Sequence, residues 1–501
     1  MFSHLTNWLA AKVPKLKPAV VYLRLHRKRL IAATVFIAHL LGAYTSVKAV
    51  MHTRTSQGAI AWAVVLNSFP YLAVPAYWVF GDDDFEDYIV ARREQAGATT
   101  DLHKDLVADI RARRLATNPD EPSLSALERL ADLPFTDGNH VELLVDGEET
   151  FEAILAEIDR AEKYILVQFF IFRDDDIGTR IVERLKARAR QGVRIFLIYD
   201  EIGSMATGDA YFRSLEDDGI RALPFNTSRG ITNRLRINFR NHRKIVIVDG
   251  KTAFVGGINV GDEYLGNDPE LTPWRDTHCR VQGPVVQCLQ IPFVEDWSWA
   301  SGEVVEGLDW EPERAPGGGS MAAICVPSGP ADKVETCSLF FLNAINSAEE
   351  RVWITSPYFV PDAQVVSALT LAALRGVDVR ILIPEKFDAL LVYLSSFSYL
   401  EEAENAGFKI YRYAPGFLHQ KVVLVDDDFA SVGTANLDNR SFRLNFEISV
   451  AVHDVAFAGE VAAMLEDDFA SAKLAEPDEL ADRPFYFRLS SRVARLLAPI
   501  Q

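Results

Sequence analysis

The chain has 501 residues, 49% of them of hydrophobic type, so it is long enough for two or three domains that each have a core. Its four cysteines form no Cys-x-x-Cys pair, which argues against a zinc site or a disulfide framework and is compatible with a reducing compartment. The net charge is −18, and residues 1–54 carry nine Lys or Arg and no acid. The remainder therefore carries −27, which argues against a general nucleic-acid partner, because such partners are bound mainly by neutralising phosphates.

Two uncharged apolar stretches predict a membrane hairpin of two transmembrane helices within residues 1–81. The stretch from Thr55 to Gly81 is long enough to cross a bilayer, and the stretch from Leu30 to Val47 is marginal. Seven Lys or Arg precede the first stretch and only Lys48 and Arg54 lie in the link, so both the N-terminus and the body are expected in the cytoplasm. The alternatives are two buried helices of a soluble domain, or a signal peptide followed by a core helix.

Residues 82–135 are predicted to be a polar, partly helical connector. Its acidic run, Asp82 to Asp84, is interpreted as a solvated flank of the second apolar stretch and not as a metal site.

The body that follows predicts an α/β sandwich. Short, nearly continuous apolar segments such as "YILVQFFIF", "VRIFLIYD", "KIVIVD" and "KVVLVD" are typical of buried strands. Helical stretches that end at a glycine, including "IGTRIVERLKARARQG", alternate with them. The glycine-rich segment 311–321 is the predicted linker between a first lobe, residues 136–310, and a second lobe, residues 322–475.

The two lobes are predicted to be copies of one unit, because a motif recurs in fixed register. "RNHRKIVIVDGKTAFVGGINVGDEY" (240–264) aligns with "FLHQKVVLVDDDFASVGTANLDNRS" (417–441). The matching pairs are His242 with His419, Lys244 with Lys421, Asp249 with Asp426, Gly256 with Gly433 and Asn259 with Asn436.

If the copies meet at a pseudo-twofold seam, two histidines, two lysines and two asparagines form a phosphoryl-transfer site without a metal. The lysines and amides can bind phosphate oxygens, while one imidazole attacks phosphorus and the other protonates the leaving group. The basic stretch 234–244, with Arg234, Arg236, Arg240, Arg243 and Lys244, is interpreted as part of a local phosphate-ester site. A solvated basic strand edge is the alternative.

The C-terminal tail, residues 476–501, sets Arg488, Arg492 and Arg495 against Leu489, Val493, Leu496 and Leu497. It is either an interfacial helix on anionic lipid or a helix packed on the body, and the sequence favours neither.

The doubled pattern His-x-Lys, four residues, Asp, six residues, Gly-x-x-Asn resembles the phospholipase D superfamily, and the chain is most similar there to bacterial cardiolipin synthases. The stretches "RLRINFRNHRKIVIVDG", "PWRDTH", "SPYFVPD" and "LDNRSFRLNFE" carry that resemblance. It implies two pseudo-symmetric α/β/α lobes, a bacterial inner-membrane location, and phosphatidyl transfer between two phosphatidylglycerol molecules with release of glycerol and no cofactor or metal.

The resemblance also implies roles for individual residues. His242 and His419 become nucleophile and general acid in either order, and Lys244, Lys421, Asn259 and Asn436 become phosphate ligands. Asp249 and Asp426 stand among the catalytic-motif residues but are expected to support the lysines and local structure. Glu447 is expected to orient the second histidine, with Asp276 as its counterpart. Gly257 stands where the second copy has Thr434, so the hydroxyl that the resemblance implies beside the phosphate is present only once.

Two other functions remain open from the sequence. A phospholipase D would use the same residues with water as acceptor, and a membrane-tethered nuclease has precedent in the superfamily, although the −27 body argues against it. A non-catalytic membrane scaffold is least favoured, because both motifs are intact.

Overall fold

The computed structural model describes residues 26–53, 55–81, 96–117, 121–225, 238–476 and 478–501. The chain divides into two compact units, residues 1–83 and 84–501. The acidic run Asp82–Asp84 and most of the N-terminal basic residues lie outside the described residues.

The N-terminal unit consists of apolar helices. They are α1 (Arg27–His52), α2 (Ser56–Ser68) and α3 (Pro70–Phe80). Among the described residues, α1 is the one helix whose length and apolar composition would let it cross a bilayer. The predicted second span is not a single helix, because α2 ends at Ser68 and α3 begins at Pro70, which has no backbone N–H to continue the hydrogen bonds of the preceding helix.

Small residues let α1 and α2 approach closely. Gly42, Ser46 and Ala49 are buried on one face of α1, and a Cβ on Gly42 would lie 2.3 Å from the carbonyl oxygen of Leu66. Nδ2 of Asn67 donates to Oγ of Ser46 at 3.0 Å. This small-residue packing is common between membrane helices.

The second unit begins with two helices and a first α/β lobe. Its helices are α4 (Ala96–Ala112), α5 (Pro122–Ala131), α6 (Asp146–Ile158), α7 (Asp176–Ala189), α8 (Asp209–Ser214) and α9 (Val285–Ser301). Its strands are β1 (Thr136–Val145), β2 (Tyr164–Phe169), β3 (Arg194–Asp200), β4 (Ile220–Phe225), β5 (Arg240–Asn241), β6 (Ile245–Val248), β7 (Thr252–Gly256), β8 (Trp274–Arg275) and β9 (Thr277–Gln282).

The second lobe repeats this order. Its strands are β10 (Met321–Ser328), β11 (Arg351–Thr355), β12 (Phe359–Val360), β13 (Asp378–Pro384), β14 (Lys409–Tyr413), β15 (Phe417–Leu418), β16 (Val422–Val425), β17 (Phe429–Gly433), β18 (Leu437–Asp438), β19 (Asn445–His453) and β20 (Ala472–Leu474). Its helices are α10 (Thr336–Ser347), α11 (Ala363–Leu374), α12 (Leu390–Phe397), α13 (Leu400–Ala406), α14 (Asn439–Arg443), α15 (Val455–Ala470) and α16 (Phe485–Leu496).

One continuous sheet joins the lobes. Its order is β4-β3-β2-β6-β7-β9-β1-β10-β19-β17-β16-β11-β13-β14-β20, which reads nearly the same from either end, and β1 and β10 pair antiparallel at the centre. Along β2, Tyr164 and Leu166 enter one hydrophobic core while Ile165 and Val167 enter another, so both faces of the sheet are covered. The predicted α/β fold with two pseudo-symmetric lobes is confirmed.

Candidate active site

Each motif histidine follows a two-residue strand that pairs with the opposite lobe. Strand β5 runs parallel to the start of β19, and the backbone N–H of His242 donates to the carbonyl of Phe446 at 2.9 Å. Strand β15 runs parallel to β8, and the N–H of His419 donates to the carbonyl of Arg275 at 2.7 Å. These two short pairings bring each histidine beside the residue that follows the two paired positions of the partner strand, which is Glu447 for His242 and Asp276 for His419.

The carboxylates are exchanged between the lobes. Nδ1 of His242 lies 2.9 Å from Oε2 of Glu447, and Nδ1 of His419 lies 2.8 Å from Oδ2 of Asp276. The expectation that Glu447 orients the second histidine is therefore wrong: it holds the first. The cause is the register of β5 on β19 and of β15 on β8, which places each acid across the seam from its own motif.

Both pairs are buried, and burial dominates their pKa values. Desolvation lowers the pKa of His242 to about 4, against the opposing effect of Glu447, and it also lowers the pKa of His419 well below its usual value. Burial raises the pKa of Asp276 to about 6. Burial acts to raise the pKa of Glu447 too, but the charge interaction and hydrogen bond with His242 outweigh it and lower that pKa. Both imidazoles are thus neutral near pH 7. In His242, Nδ1 faces two acceptors, Glu447 and the carbonyl of Thr434, so its Nε2 keeps the lone pair. In His419, Nδ1 lies near both Asp276 and Nζ of Lys421.

The hydrogen bonds around Glu447 explain part of the motif. Oγ1 of Thr434 donates to Oε2 of Glu447 at 2.6 Å, and Ser441 Oγ and Asn445 Nδ2 donate to Oε1 at 2.9 and 3.0 Å. The Thr434 hydroxyl was expected beside the phosphate. In the structure it donates to the carboxylate that faces His242.

Gly257 is the counterpart of Thr434, and the position of the Asp276 carboxylate in the same lobe leaves no room for a side chain there. A Cβ at this position would lie 2.0 Å from Oδ1 of Asp276, which is inside van der Waals contact. Asp276 reaches His419 only because no side chain stands there. The first lobe therefore combines glycine with aspartate, Gly257 with Asp276, and the second combines threonine with glutamate, Thr434 with Glu447.

The two motif lysines lie buried beside their histidines. Nζ of Lys244 donates to the carbonyl of His242 at 2.7 Å, and Nζ of Lys421 donates to the carbonyl of His419. Burial lowers the pKa of Lys244 to about 7 and that of Lys421 to about 8, although nearby carboxylates oppose the shift. A buried phosphodiester anion would restore the charged form of both amines, since an opposite charge favours it.

The two motif asparagines are buried but differ in their contacts. Oδ1 of Asn259 accepts from the N–H of Ile171 at 3.0 Å, and its Nδ2 donates to the hydroxyl of Tyr264. In Asn436 the backbone N–H donates to Oγ of Ser441, while its buried Oδ1 meets no hydrogen-bond donor among the described residues.

Asp249 and Asp426 lie at the far ends of β6 and β16, away from the histidines. Each adopts a left-handed conformation, with φ of 55° and 48°. The carboxylate of Asp249 accepts from the N–H groups of residues 162–164, and that of Asp426 accepts from those of residues 349–351. The expected support of local structure is found, whereas the expected contact with the lysines is not: Nζ of each lysine points back to its own histidine.

Of the predicted basic stretch, Lys244 lies beside His242, whereas Arg243 does not contribute to a phosphate site there. Arg243 points to the opposite side of the chain from His242 and Lys244, and its Nη1 donates to buried Asp296 at 2.8 Å. Burial lowers the pKa of Arg240, whose Nη1 donates to a backbone carbonyl. Arg234 and Arg236 lie outside the described residues.

Three aromatic residues around the site were not predicted. The rings of Phe170 and His242 are 5.1 Å apart, and the rings of Trp274 and Tyr264 are 5.4 and 6.0 Å from that of His419. Trp274 lies in "PWRDTH" and Tyr264 lies in "GDEY". Their short distance along the chain from the site residues is the feature of the sequence that could have predicted them.

Known proteins share the two segments that carry this paired site. A family model described as "Cardiolipin synthase, PLD-like domain" matches residues 154–282 and 341–471, which contain both histidines. Cardiolipin synthase A of Pseudomonas putida is 48% identical over 471 residues, covering 93% of this chain and 97% of that protein. This chain belongs to the cardiolipin synthase family. The family's counterpart in Pseudomonas aeruginosa is 49% identical over 488 residues, 95% of this chain and 98% of the relative.

A solved structure shares the fold of this cardiolipin synthase family member at low identity. The phosphatidylserine synthase of Haemophilus influenzae aligns with a TM-score of 0.57 and 16% identity, covering 76% of this chain and all of the other. The likeness supports the two-lobe fold alone.

Proposed function

We propose that this protein is a cardiolipin synthase that transfers the phosphatidyl group of one phosphatidylglycerol to a second and releases glycerol. One observation carries the proposal: two imidazoles, each held at Nδ1 by a buried carboxylate, stand at one seam with a lysine beside each. The membership in the cardiolipin synthase family supports the substrate class.

In the proposed first step, Nε2 of one neutral histidine attacks phosphorus and the bond from phosphorus to the glycerol oxygen breaks. The other histidine, protonated when the anionic phosphodiester binds, gives its proton to the departing oxygen. A phosphatidyl-histidine results, and Lys244 and Lys421 offset the charge on the phosphate oxygens. Asn259 and Asn436 are proposed as further ligands.

In the second step the histidine that gave its proton takes one from a hydroxyl of the second phosphatidylglycerol. The freed oxygen attacks phosphorus and the bond from phosphorus to nitrogen breaks, which restores both histidines. One phosphodiester is exchanged for another, so no nucleotide-activated donor is required. Glu447 and Asp276 act as positioning residues for His242 and His419.

We also propose a location for the chain. Residues 1–81 would cross the bacterial inner membrane twice, as a hairpin that leaves the N-terminus and the catalytic body in the cytoplasm. The single long apolar helix α1 supports membrane association. Anchoring keeps the second lipid at high effective concentration, which favours it over water as acceptor.

The test is a product analysis with purified full-length protein and phosphatidylglycerol as the only lipid. Cardiolipin and free glycerol are expected, and excess glycerol should drive the reaction backward. Mainly phosphatidic acid would identify a phospholipase D that uses water. A requirement for a cytidine-nucleotide lipid would exclude the proposed mechanism, and a gel shift at physiological salt would test the nuclease alternative.

A further inference from the structure

The C-terminal helix α16 carries three different faces. At about 100° per residue, its residues separate into a packed face, a basic face and an apolar face. The packed face comprises Phe487, Ser491 and Ala494, and the basic face comprises Arg488, Arg492 and Arg495. The apolar face comprises Phe485, Tyr486, Leu489, Val493 and Leu496.

The packed face fixes the helix on the second lobe. Ala494 is 1% exposed and Ser491 is fully buried. The ring of Phe487 lies 5.1 Å from that of Phe397 in α12, and Arg495 pairs with Glu402 at 2.7 Å. The helix is therefore part of the folded body and not a free tail, which answers one half of the question that the sequence left open.

The apolar face is turned outward. Phe485 is 76% exposed and Leu496 is 77% exposed, while the residues that the helix buries are mostly small. A soluble helix buries its large apolar side chains and exposes its polar ones. A contiguous exposed stripe of this kind marks an interaction surface.

Helix α12, which packs against α16 through Phe397 and Phe487, also exposes large apolar side chains near its start. Leu390 and Leu391 are exposed, and the exposed ring of Phe387 stacks on Tyr393 at 4.3 Å. Tyr393 in turn contacts Phe397. The exposed apolar side chains of these two packed helices are together called the α12–α16 surface.

The α12–α16 surface reaches the rim of the candidate site. Nζ of Lys386, next to Phe387, donates to the carbonyl of Thr272 at 3.0 Å, in the segment that leads to Trp274 beside His419. Asp388 accepts from the hydroxyl of Tyr358 at 2.6 Å. A lipid that enters the site from a bilayer would pass such a rim.

We propose that the α12–α16 surface docks on an anionic lipid bilayer and brings the rim of the site to the level of the lipid head groups. The apolar stripe would insert below the head groups, and Arg488 on the adjoining face would meet lipid phosphates. Arg492 on the same face pairs with Glu401 at 2.8 Å. The continuity of the surface with the rim favours a bilayer over a protein partner as its occupant. The inference rests on the proposed lipid-transferring function.

The test places a fluorophore on the full-length protein in nanodiscs of phosphatidylglycerol and phosphatidylcholine. The four native cysteines are buried, so Val493→Cys supplies the labelling site for an environment-sensitive dye. Val455→Cys is the matched control, because Val455 is 67% exposed and follows the end of β19 that is remote from Glu447. Quenching by spin-labelled lipid is expected at position 493 and not at position 455.

A kinetic arm uses the variant Leu489→Glu with Val493→Glu, both on the exposed face. The apparent KM for bilayer phosphatidylglycerol should rise about fivefold or more, since two side chains that enter the apolar layer become charged. The kcat with detergent-dispersed lipid should stay unchanged.

The possible outcomes distinguish a failure of the docking proposal from a failure of the proposed function. Absence of quenching at position 493, or equal quenching at both positions, would overturn the docking surface. Disulfide crosslinking between two copies through Val493→Cys would overturn it in favour of a self-association interface. A wild-type protein that makes no cardiolipin refutes the proposed function instead, whatever the quenching result.

Discussion

Glu447 accepts a hydrogen bond from His242 although the two residues are 205 positions apart and belong to different lobes. Asp276 makes the corresponding contact with His419, 143 positions away. Neither lobe therefore holds a complete histidine–carboxylate pair by itself. The paired site exists only when the β1–β10 seam is formed.

This exchange predicts which histidine responds to each acid. Glu447→Gln should shift the 15N resonances of His242 and leave those of His419 nearly unchanged, because the amide cannot hold the same tautomer as the carboxylate. Asp276→Asn should have the reverse effect. Nitrogen-15 histidine spectra of the two variants measure this, and activity should fall by about 100-fold or more in each. A shift confined to the histidine of the same lobe would contradict the pairing.

Removal of either histidine should abolish turnover. His242→Ala and His419→Ala each delete one of the two imidazoles that attack and protonate, so a loss of about 1,000-fold or more is expected for each. Cardiolipin formation is the measurement, with a thermal melt to establish folding and His453→Ala, on a partly exposed histidine, as control. Near-normal activity of either variant would refute the two-histidine mechanism. One of these two variants lacks the general-acid histidine and keeps the nucleophile. In that variant, mass spectrometry should find a phosphatidyl group on the remaining histidine.

The Gly257 position offers a swap between the two lobes. Gly257→Thr should displace the Asp276 carboxylate and lower activity by about 100-fold, because a Cβ there meets Oδ1 at 2.0 Å. Adding Asp276→Glu rebuilds the Thr434–Glu447 arrangement, and partial recovery is expected. Rates of the single and double variants give the measurement. If the double variant is no more active than Gly257→Thr alone, the proposed match between the two positions is wrong.

The buried lysines predict an alkaline limit on kcat/KM. Burial lowers the pKa of Lys244 to about 7 and that of Lys421 to about 8, so both amines of the free protein become neutral above pH about 8. If both charges are needed, kcat/KM should fall by up to about tenfold per pH unit between pH 7 and pH 8, and by up to about 100-fold per pH unit above that. Protonation of Asp276, with a pKa of about 6, should lower kcat/KM on the acid side.

The expected fall of kcat/KM at alkaline pH cannot be explained by deprotonation of Lys244 destabilising the fold. Between pH 7 and pH 10.5 the unfolded state binds more protons at Lys244 than the folded state does, so this group makes the free energy of unfolding rise with pH. Circular dichroism over the same pH range is the control. A kcat/KM that stays constant from pH 7 to pH 10 would contradict the assignment of the lysines as phosphate ligands.

Chelation should leave the rate within about twofold, because lysines and histidines supply the proposed charge stabilisation without a metal. In the described part of the chain, one group of side chains has the spacing of a metal site, namely Glu121, Asp428 and His453. It lies at the end of β19 that is remote from Glu447, where His453 is the last residue of the strand. The assay compares cardiolipin formation with and without chelator at constant ionic strength. Complete loss of activity, restored by one divalent ion, would overturn the expectation.

The sequence by itself determined the features that depend on short segments. The period of apolar residues predicted the strands and helices, and the fixed register of the two motifs predicted two equivalent lobes that are now seen in one symmetric sheet. The histidines, lysines and both acids that it singled out lie at the seam. Their roles remain predictions, as do the domain limits and the membrane topology.

Only the tertiary structure decided which residues meet across the seam. The partner of each histidine follows from the pairing of β5 with β19 and of β15 with β8, and the pairing of distant strands leaves no local pattern in the chain. The same holds for Thr434, which binds a carboxylate, for Arg243, which pairs with Asp296, and for the break at Pro70 in the second apolar stretch. Spacing along the chain predicts which side chains share a face, but long-range strand register and packing determine what each face meets.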